Sequence, residues 1–214
     1  MEDFYQKALH YLEPFHQQVP TWLQKIKVEG IQDRVPIVRD DMGQYLKSIC
    51  SLLQPERILE IGCGISYSTH WMLWGSPGSQ VVAIDSNHVR LAQCKEYLKE
   101  SGFEDQVDLR HCWAEDFFLE NQQQFDLIFQ DSTKKGYSKM IEPIHRSLKV
   151  GGVLIVDNIF YNGKTLEMTE AQEKKYAKGV ALVNEFNQKI SQHPGFQCTF
   201  LPLSDGTLLA KRIA

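Results

Sequence analysis

Two apolar runs in this 214-residue chain stop at oxygen-bearing side chains. FDLIFQD ends at Asp131, and GGVLIVDN ends at Asp157 and Asn158. Two carboxylates and one amide oxygen make a hard, all-oxygen donor set with room left for water and substrate. That set suits Mg²⁺ or Mn²⁺ and suits zinc poorly. Lys134 follows Asp131 by three residues. A lysine near a cation and partly withdrawn from water has its pKa pushed down and can act as a base. Each residue also has a plainer role: strand-end acids often cap helices, and Lys134 sits beside Lys135 as a loop lysine would. The coincidence of three donors on one sheet edge favours the metal.

A second stretch, EIGCGISYS, spans Glu60 to Ser68. Strand, glycine turn and helix in succession aim backbone N–H groups at a ligand, and Gly62 and Gly64 allow close approach. The full GxGxxG pattern fails, because Tyr67 stands at the third glycine position. The next apolar run, QVVAID, ends at Asp85. An acid there accepts from both ribose hydroxyls of a nucleoside cofactor, or else faces the positive end of the following helix. Together, turn and acid favour nucleoside binding.

These residues need a scaffold that brings strand ends to one edge. RILEIG, QVVAID, QVDLRH, FDLIFQD and GGVLIVDN read as five strands, separated by helical segments such as 67–75 and 86–102, the latter with a Ser start and a Gly stop. Strands alternating with helices, several apolar on both faces, predict a parallel α/β sheet covered on both sides. The segment 171–193 reads as a long amphipathic helix, and Asp205-Gly206 between two apolar runs signals an antiparallel hairpin. Upstream, residues 3–28 read as one or two helices interrupted near Pro20. A helix over 41–53 places Met42, Tyr45, Leu46, Ile49 and Leu52 or Leu53 on one face. The whole is expected to be one domain, 1–214, with a helical extension over 1–34 and a catalytic core over 35–214.

Composition narrows the setting. A net charge of −4 disfavours a broad nucleic-acid face, DNA in particular. Five scattered cysteines with no CxxC pair read as reduced thiols of a cytoplasmic protein. No signal peptide or membrane-spanning run is expected.

RILEIGCGISYST, VVAID, FDLIFQDSTKKGY, GGVLIVDNIFYNG and LPLSDGTLLAKR resemble the cation-dependent, S-adenosylmethionine-dependent O-methyltransferases. Catechol and caffeoyl-CoA O-methyltransferases belong to that group. The resemblance runs from about Val35 to the C-terminus. It implies a Rossmann-like methyltransferase fold with a seven-stranded sheet, often as a homodimer. It also implies that Glu60, Gly62, Gly64 and Ser68 surround the methionine part of the cofactor. Asp85 takes the ribose, Trp113 and Ala114 the adenine, and Val38 lies along the cofactor by its backbone. Asp131, Asp157 and Asn158 match the metal ligands, Asp131 also bordering the cofactor, and Lys134 matches the general base.

There are departures from the family pattern. Ser66 replaces the third glycine of the family's turn, Cys63 and Ile65 replace small or hydroxyl residues, and Thr133 replaces an aspartate. Trp113 stands where many members have Asp, and Leu208 where the catechol enzyme has Glu. The expected acceptor is a small phenolic or catechol-like hydroxyl. The alternative is tRNA: VPIV, DNIFYNG and NQKISQHPGFQ are similar to the tRNA hydroxyuridine methyltransferases, and Lys164, Lys174, Lys175 and Lys178 offer phosphate contacts. A non-catalytic cofactor-binding protein would have lost the metal ligands or Lys134, and a nicotinamide dehydrogenase would not need Asp157-Asn158.

Overall fold

A computed structural model describes residues 2–214, with side chains from Phe4 onward. Helices α1 (Glu2–Leu12), α2 (Thr21–Gln32) and α3 (Asp40–Leu53) precede the sheet. Then follow β1 (Arg57–Ile61), α4 (Tyr67–Gly75), β2 (Gln80–Asp85), α5 (His88–Ser101), β3 (Val107–His111) and α6 (Ala114–Glu120). The chain continues through β4 (Phe125–Gln130), α7 (Tyr137–Ser147), β5 (Leu148–Val156), α8 (Glu170–Ser191), β6 (Phe196–Leu201) and β7 (Thr207–Arg212).

The seven strands lie in the order β3-β2-β1-β4-β5-β7-β6. Strands β1 to β5 pair in parallel, and β7 runs antiparallel to both β5 and β6. Side chains alternate between two cores, as a pleated strand requires. Ile58, Val81, Leu127 and Phe129 face one core, which Leu23, Met42, Leu46 and Trp71 complete from α2, α3 and α4. Leu59, Ile84, Phe125 and Ile128 face the other, closed by Ile141, Ile144, Phe186 and Ile190 from α7 and α8. The strand order reverses between β1 and β4, and such a switch point opens a crevice at the carboxyl ends of the strands.

Two expectations need correction. On α3, Leu52 is 80% exposed and Leu53 half exposed, whereas Gly43 and Cys50 are buried with Met42 and Leu46. Cys50 follows Leu46 by one helical turn and keeps to the inward face, so the last leucines rotate out. The cap of α5 is Asn87 rather than Ser86: its side chain accepts from Val89 N (3.0 Å) and Arg90 N (3.2 Å). β6 and β7 form the expected antiparallel hairpin, joined through residues 202–206, with Ser204 and Gly206 both left-handed. Asp205 is thereby free for another task, described below.

Gly43 marks a close helix contact in the first core. A Cβ there would lie 2.4 Å from the indole of Trp71, itself fully buried. Gly43→Ala is expected to cost about 1–3 kcal/mol through overpacking, read as a lower urea midpoint at unchanged slope.

Candidate active site

A cavity of about 750 Å³ opens at the carboxyl ends of β1, β2 and β4, a size suited to a cofactor with a small acceptor. Gly62, Gly64, Asp85, Trp113, Ala114 and Asp131 line it. Gly62 has φ +92°, and a Cβ there would sit 2.2 Å from the Asp131 carbonyl oxygen. Only glycine lets the β1 turn pass so close to the β4 end.

Asp85 ties this turn to α5. One carboxylate oxygen accepts from Gly64 N (2.9 Å) and the other from Asn87 N (2.8 Å). Each oxygen keeps a second lone pair for a hydroxyl in the cavity. The two roles read from the sequence for Asp85, ribose acceptor and helix-end acid, are therefore compatible. Trp113 is 57% exposed on the cavity rim, a large flat ring available for stacking.

Four residues named from the sequence stand off the cavity wall: Val38, Glu60, Ser68 and Asp157. Glu60 is completely buried and accepts from the Ser68 and Thr69 hydroxyls. Burial pushes its pKa up to about 7, against the pull of those two hydroxyls. Glu60 and Ser68 thus brace the start of α4 beneath the turn. Val38 is packed into the core, and its segment reaches the cavity through Pro36 instead.

The oxygen donors gather around Lys134. Its Nζ donates to Asn158 Oδ1 (3.1 Å), Tyr137 Oη (2.7 Å) and the Asp157 carbonyl (3.4 Å), and lies 4.0 Å from Asp131 Oδ1. Asp131, Lys134 and Asn158 line the cavity, with Asp157 buried just behind them. Burial raises the pKa of Asp157 to about 7, helped by the Asp131 charge, and burial likewise raises Asp131. Burial lowers Lys134, although Asp131, Asp157 and Asp205 oppose it. These are acids held where they want a cation. Asn158 has φ +61°, a costly conformation for a side-chain-bearing residue and one that clusters at functional sites. The donor set fits a hard divalent ion.

Two wall or support residues were missed in the sequence. Tyr161, at φ +53°, lines the cavity and packs against α8, where a Cβ at Gly179 would fall 2.6 Å from its hydroxyl. The isolated glycine inside the α8 pattern was the available signal. Asp205 reaches across from the β6–β7 loop and accepts from Asn162 N (2.5 Å) and Gly163 N (3.1 Å). It anchors a loop in which Asn158, Tyr161, Asn162 and Gly163 are all left-handed. Asp205→Ala strands those two donors at about 1–3 kcal/mol for a buried pair and less where water reaches them. Turnover is expected to fall up to about tenfold with a raised acceptor KM, while calorimetry shows unchanged cofactor affinity.

A family model for O-methyltransferase matches residues 17–213. The chain belongs to the O-methyltransferase family. As such it is an enzyme that takes its methyl group from S-adenosylmethionine. Caffeoyl-CoA O-methyltransferase 1 of Eucalyptus globulus is 28% identical over 181 residues, covering 81% of this chain and 74% of that protein. The Medicago sativa caffeoyl-CoA O-methyltransferase is 27% identical, covering 81% and 73%. Among solved structures, the SAH-bound methyltransferase PaMTH1 of Podospora anserina superimposes with a TM-score of 0.88 at 23% identity, over 100% of this chain and 97% of that one. The Bacillus cereus O-methyltransferase in complex with SAH gives 0.86 at 22%, over 99% and 100%. At these identities the structural likeness establishes the methyltransferase fold, including its antiparallel last strands. No described helix of this O-methyltransferase is long and apolar enough to cross a membrane.

Proposed function

We propose that this O-methyltransferase methylates a hydroxyl of a small phenolic or catechol-like acceptor with the help of a divalent cation, Mg²⁺ or Mn²⁺, held by Asp131, Asp157 and Asn158. The observation that carries the proposal is the position of Lys134 Nζ, 3.1 Å from Asn158 Oδ1 and 4.0 Å from Asp131 Oδ1. That cluster shares a cavity with the Gly62 turn and Asp85. The caffeoyl-CoA relatives support a phenolic acceptor class.

A divalent cation held by Asp131, Asp157 and Asn158 would supply Lewis acidity, lowering the pKa of the acceptor hydroxyl toward neutral. Lys134 is placed to take or hold the acceptor proton at Nζ, and burial draws its pKa toward the working range. Asp85 orients the cofactor through the free lone pairs of its two oxygens. Gly62 lets the backbone approach the ligand. Tyr161 and Trp113 both line the cavity, so that the reacting groups meet in a defined geometry.

One observation favours a second reading, hydroxyuridine in tRNA. Lys178 lines the cavity, and Lys164 lies over the Tyr161 and Tyr176 rings at 5.5 and 4.8 Å. Cations interleaved with aromatics at a cavity mouth suit phosphates and bases. Labelled S-adenosylmethionine offered with caffeate and catechol, or with bulk tRNA containing hydroxyuridine, separates the two. EDTA-sensitive label in the phenols is the expected result. Label in the tRNA alone transfers the enzyme to RNA modification, and EDTA-resistant label overturns the metal assignment.

A further inference from the structure

Helix α1 carries Tyr5, a phenol that ties together two segments far apart in the chain. Its hydroxyl donates to Asp41 Oδ2 and accepts from Ser204 N (2.8 Å). Asp41 lies in the first turn of α3, shortly after Pro36, which lines the cavity. Ser204 sits in the β6–β7 loop, 199 positions from Tyr5. Burial and the Asp41 hydrogen bond raise the Tyr5 pKa above its ordinary value, so the hydroxyl keeps its proton near neutral pH. One proton to give and lone pairs to receive match the two partners.

The tie matters because of what the loop holds next. Ser204 has φ +55°, and among the described residues its N–H has no acceptor besides Tyr5. The Asp205 carboxylate accepts from Asn162 N and Gly163 N. The Asp205 and Gly206 carbonyls accept from Phe160 N (2.9 Å) and Ile159 N (3.0 Å). The backbone of 159–163 thus hangs on two residues that directly follow Ser204. Asn158 and Tyr161, both on the cavity wall, belong to this left-handed stretch. Such a backbone persists only where its surroundings over-determine it.

We propose that Tyr5 is a positioning residue for the methyl acceptor: by fixing the β6–β7 loop at Ser204 it steadies the 158–163 wall, and so couples the docking of α1 to acceptor binding. The proposal rests on the reading of Asn158 and Tyr161 as part of the acceptor site. Three features carry it. First, α1 has little else to hold it, since none of its described side chains is buried and Phe4 and Tyr11 are 77% and 70% exposed. Second, the Asp41 side chain is only 8% exposed, so water is a poor substitute for the Tyr5 hydroxyl. Its other oxygen already accepts from Met42 N (2.9 Å). Third, Arg39 orients the phenol. Its guanidinium lies 5.5 Å from the Tyr5 ring centroid, and its Nε is 3.7 Å from Asp41 Oδ1.

Tyr5→Phe in the full-length chain keeps the ring beside Arg39 and deletes both hydrogen bonds. With Mg²⁺ and caffeate or catechol, the acceptor KM is expected to rise about two- to tenfold, the fold-change equivalent of one ordinary hydrogen bond. The change in kcat is expected to be smaller, and S-adenosylmethionine affinity by calorimetry unmoved. A merely structural loss would not single out the acceptor. In Asp205→Ala, where the loop has already released Asn162 and Gly163, the same substitution is expected to add little, because the two residues act in series. Hydrogen exchange of the cofactor-free protein tests the coupling without any acceptor: peptides over 4–15 and 158–168 are both expected to lose protection in Tyr5→Phe. Protection kept over 158–168, an unchanged acceptor KM, a shifted cofactor affinity, or an equal KM rise in the Asp205→Ala background overturns the proposal. If the parent methylates neither phenol, the acceptor class proposed above has failed, and the exchange result alone decides the coupling.

Discussion

Asp157→Asn is expected to lose at least about 100-fold in cation-stimulated methyl transfer, since even outer-shell partners of a metal site cost 10–100-fold when removed. The same substitution is expected to stabilise the cation-free protein at alkaline pH. The Asp157 carboxyl is 1% exposed, and burial lifts its pKa from 3.8 to about 7. Between those values the folded state holds a proton that the unfolded state has released. Stability therefore falls as pH rises from about 4 to about 7, then levels off. Asn keeps the Oδ1 that accepts from Asn158 N at 2.7 Å but carries no charge to bury. In EDTA the variant should gain on the order of 1–4 kcal/mol at pH 8 and almost nothing near pH 4. Added Mg²⁺ should raise the unfolding midpoint of the parent at pH 8 and leave the variant unmoved. Urea titrations at the two pH values decide the matter. Equal midpoints for parent and variant at pH 8 in EDTA would show that Asp157 holds no costly charge, and its role as a ligand would lose its electrostatic basis.

The same residue shows what a sequence can disclose. Asp131, Asp157 and Asn158 were legible because each ends an apolar run, and parallel strands place all such ends on one edge. The parallel sheet needed no side-chain detail for the same reason: five apolar runs alternating with helices imply parallel strands with helical crossovers. Glu60 and Ser68 were harder. Position in a glycine-turn motif says that a residue is near a ligand, but whether its carboxylate turns outward or down onto Ser68 and Thr69 is decided by the packing of α4. Leu52 and Leu53 failed for a geometric reason, since a helix advances 100° per residue and Cys50 already held the inward face. Asp205 was recognised only as a turn former. Its carboxylate pairs with backbone 42 and 43 residues away, and no local pattern records such a contact. Tyr161 was similarly hidden, because its left-handed backbone depends on that same anchor.

Lys134→Met is expected to lower kcat by about 10²–10⁴-fold, the range for a positioned acid–base group, with cofactor affinity little changed. The interpretation depends on a second variant. Lys134 has two separable duties: its charge compensates Asp131, Asp157 and Asp205, and its Nζ is available to a proton. Arginine retains the charge but does not deprotonate in a protein. If charge compensation is the whole role, Lys134→Arg restores most of the lost rate. If Nζ takes the acceptor proton, Lys134→Arg stays as slow as the Met variant. The pH profile adds an independent reading. Burial lowers the Lys134 pKa from 10.5, so its neutral fraction grows with pH earlier than for a surface lysine. The parent rate should therefore climb with pH and level off below 10.5, and that limb should vanish in Lys134→Arg. A variant with a restored rate and an intact limb would move the proton acceptor elsewhere. Tyr137 is the neighbour to test next: its hydroxyl is 2.7 Å from Nζ, but burial holds its pKa well above the ordinary tyrosine value. A phenol so reluctant to ionise is a poor base, and the burden of proton transfer therefore falls on Lys134.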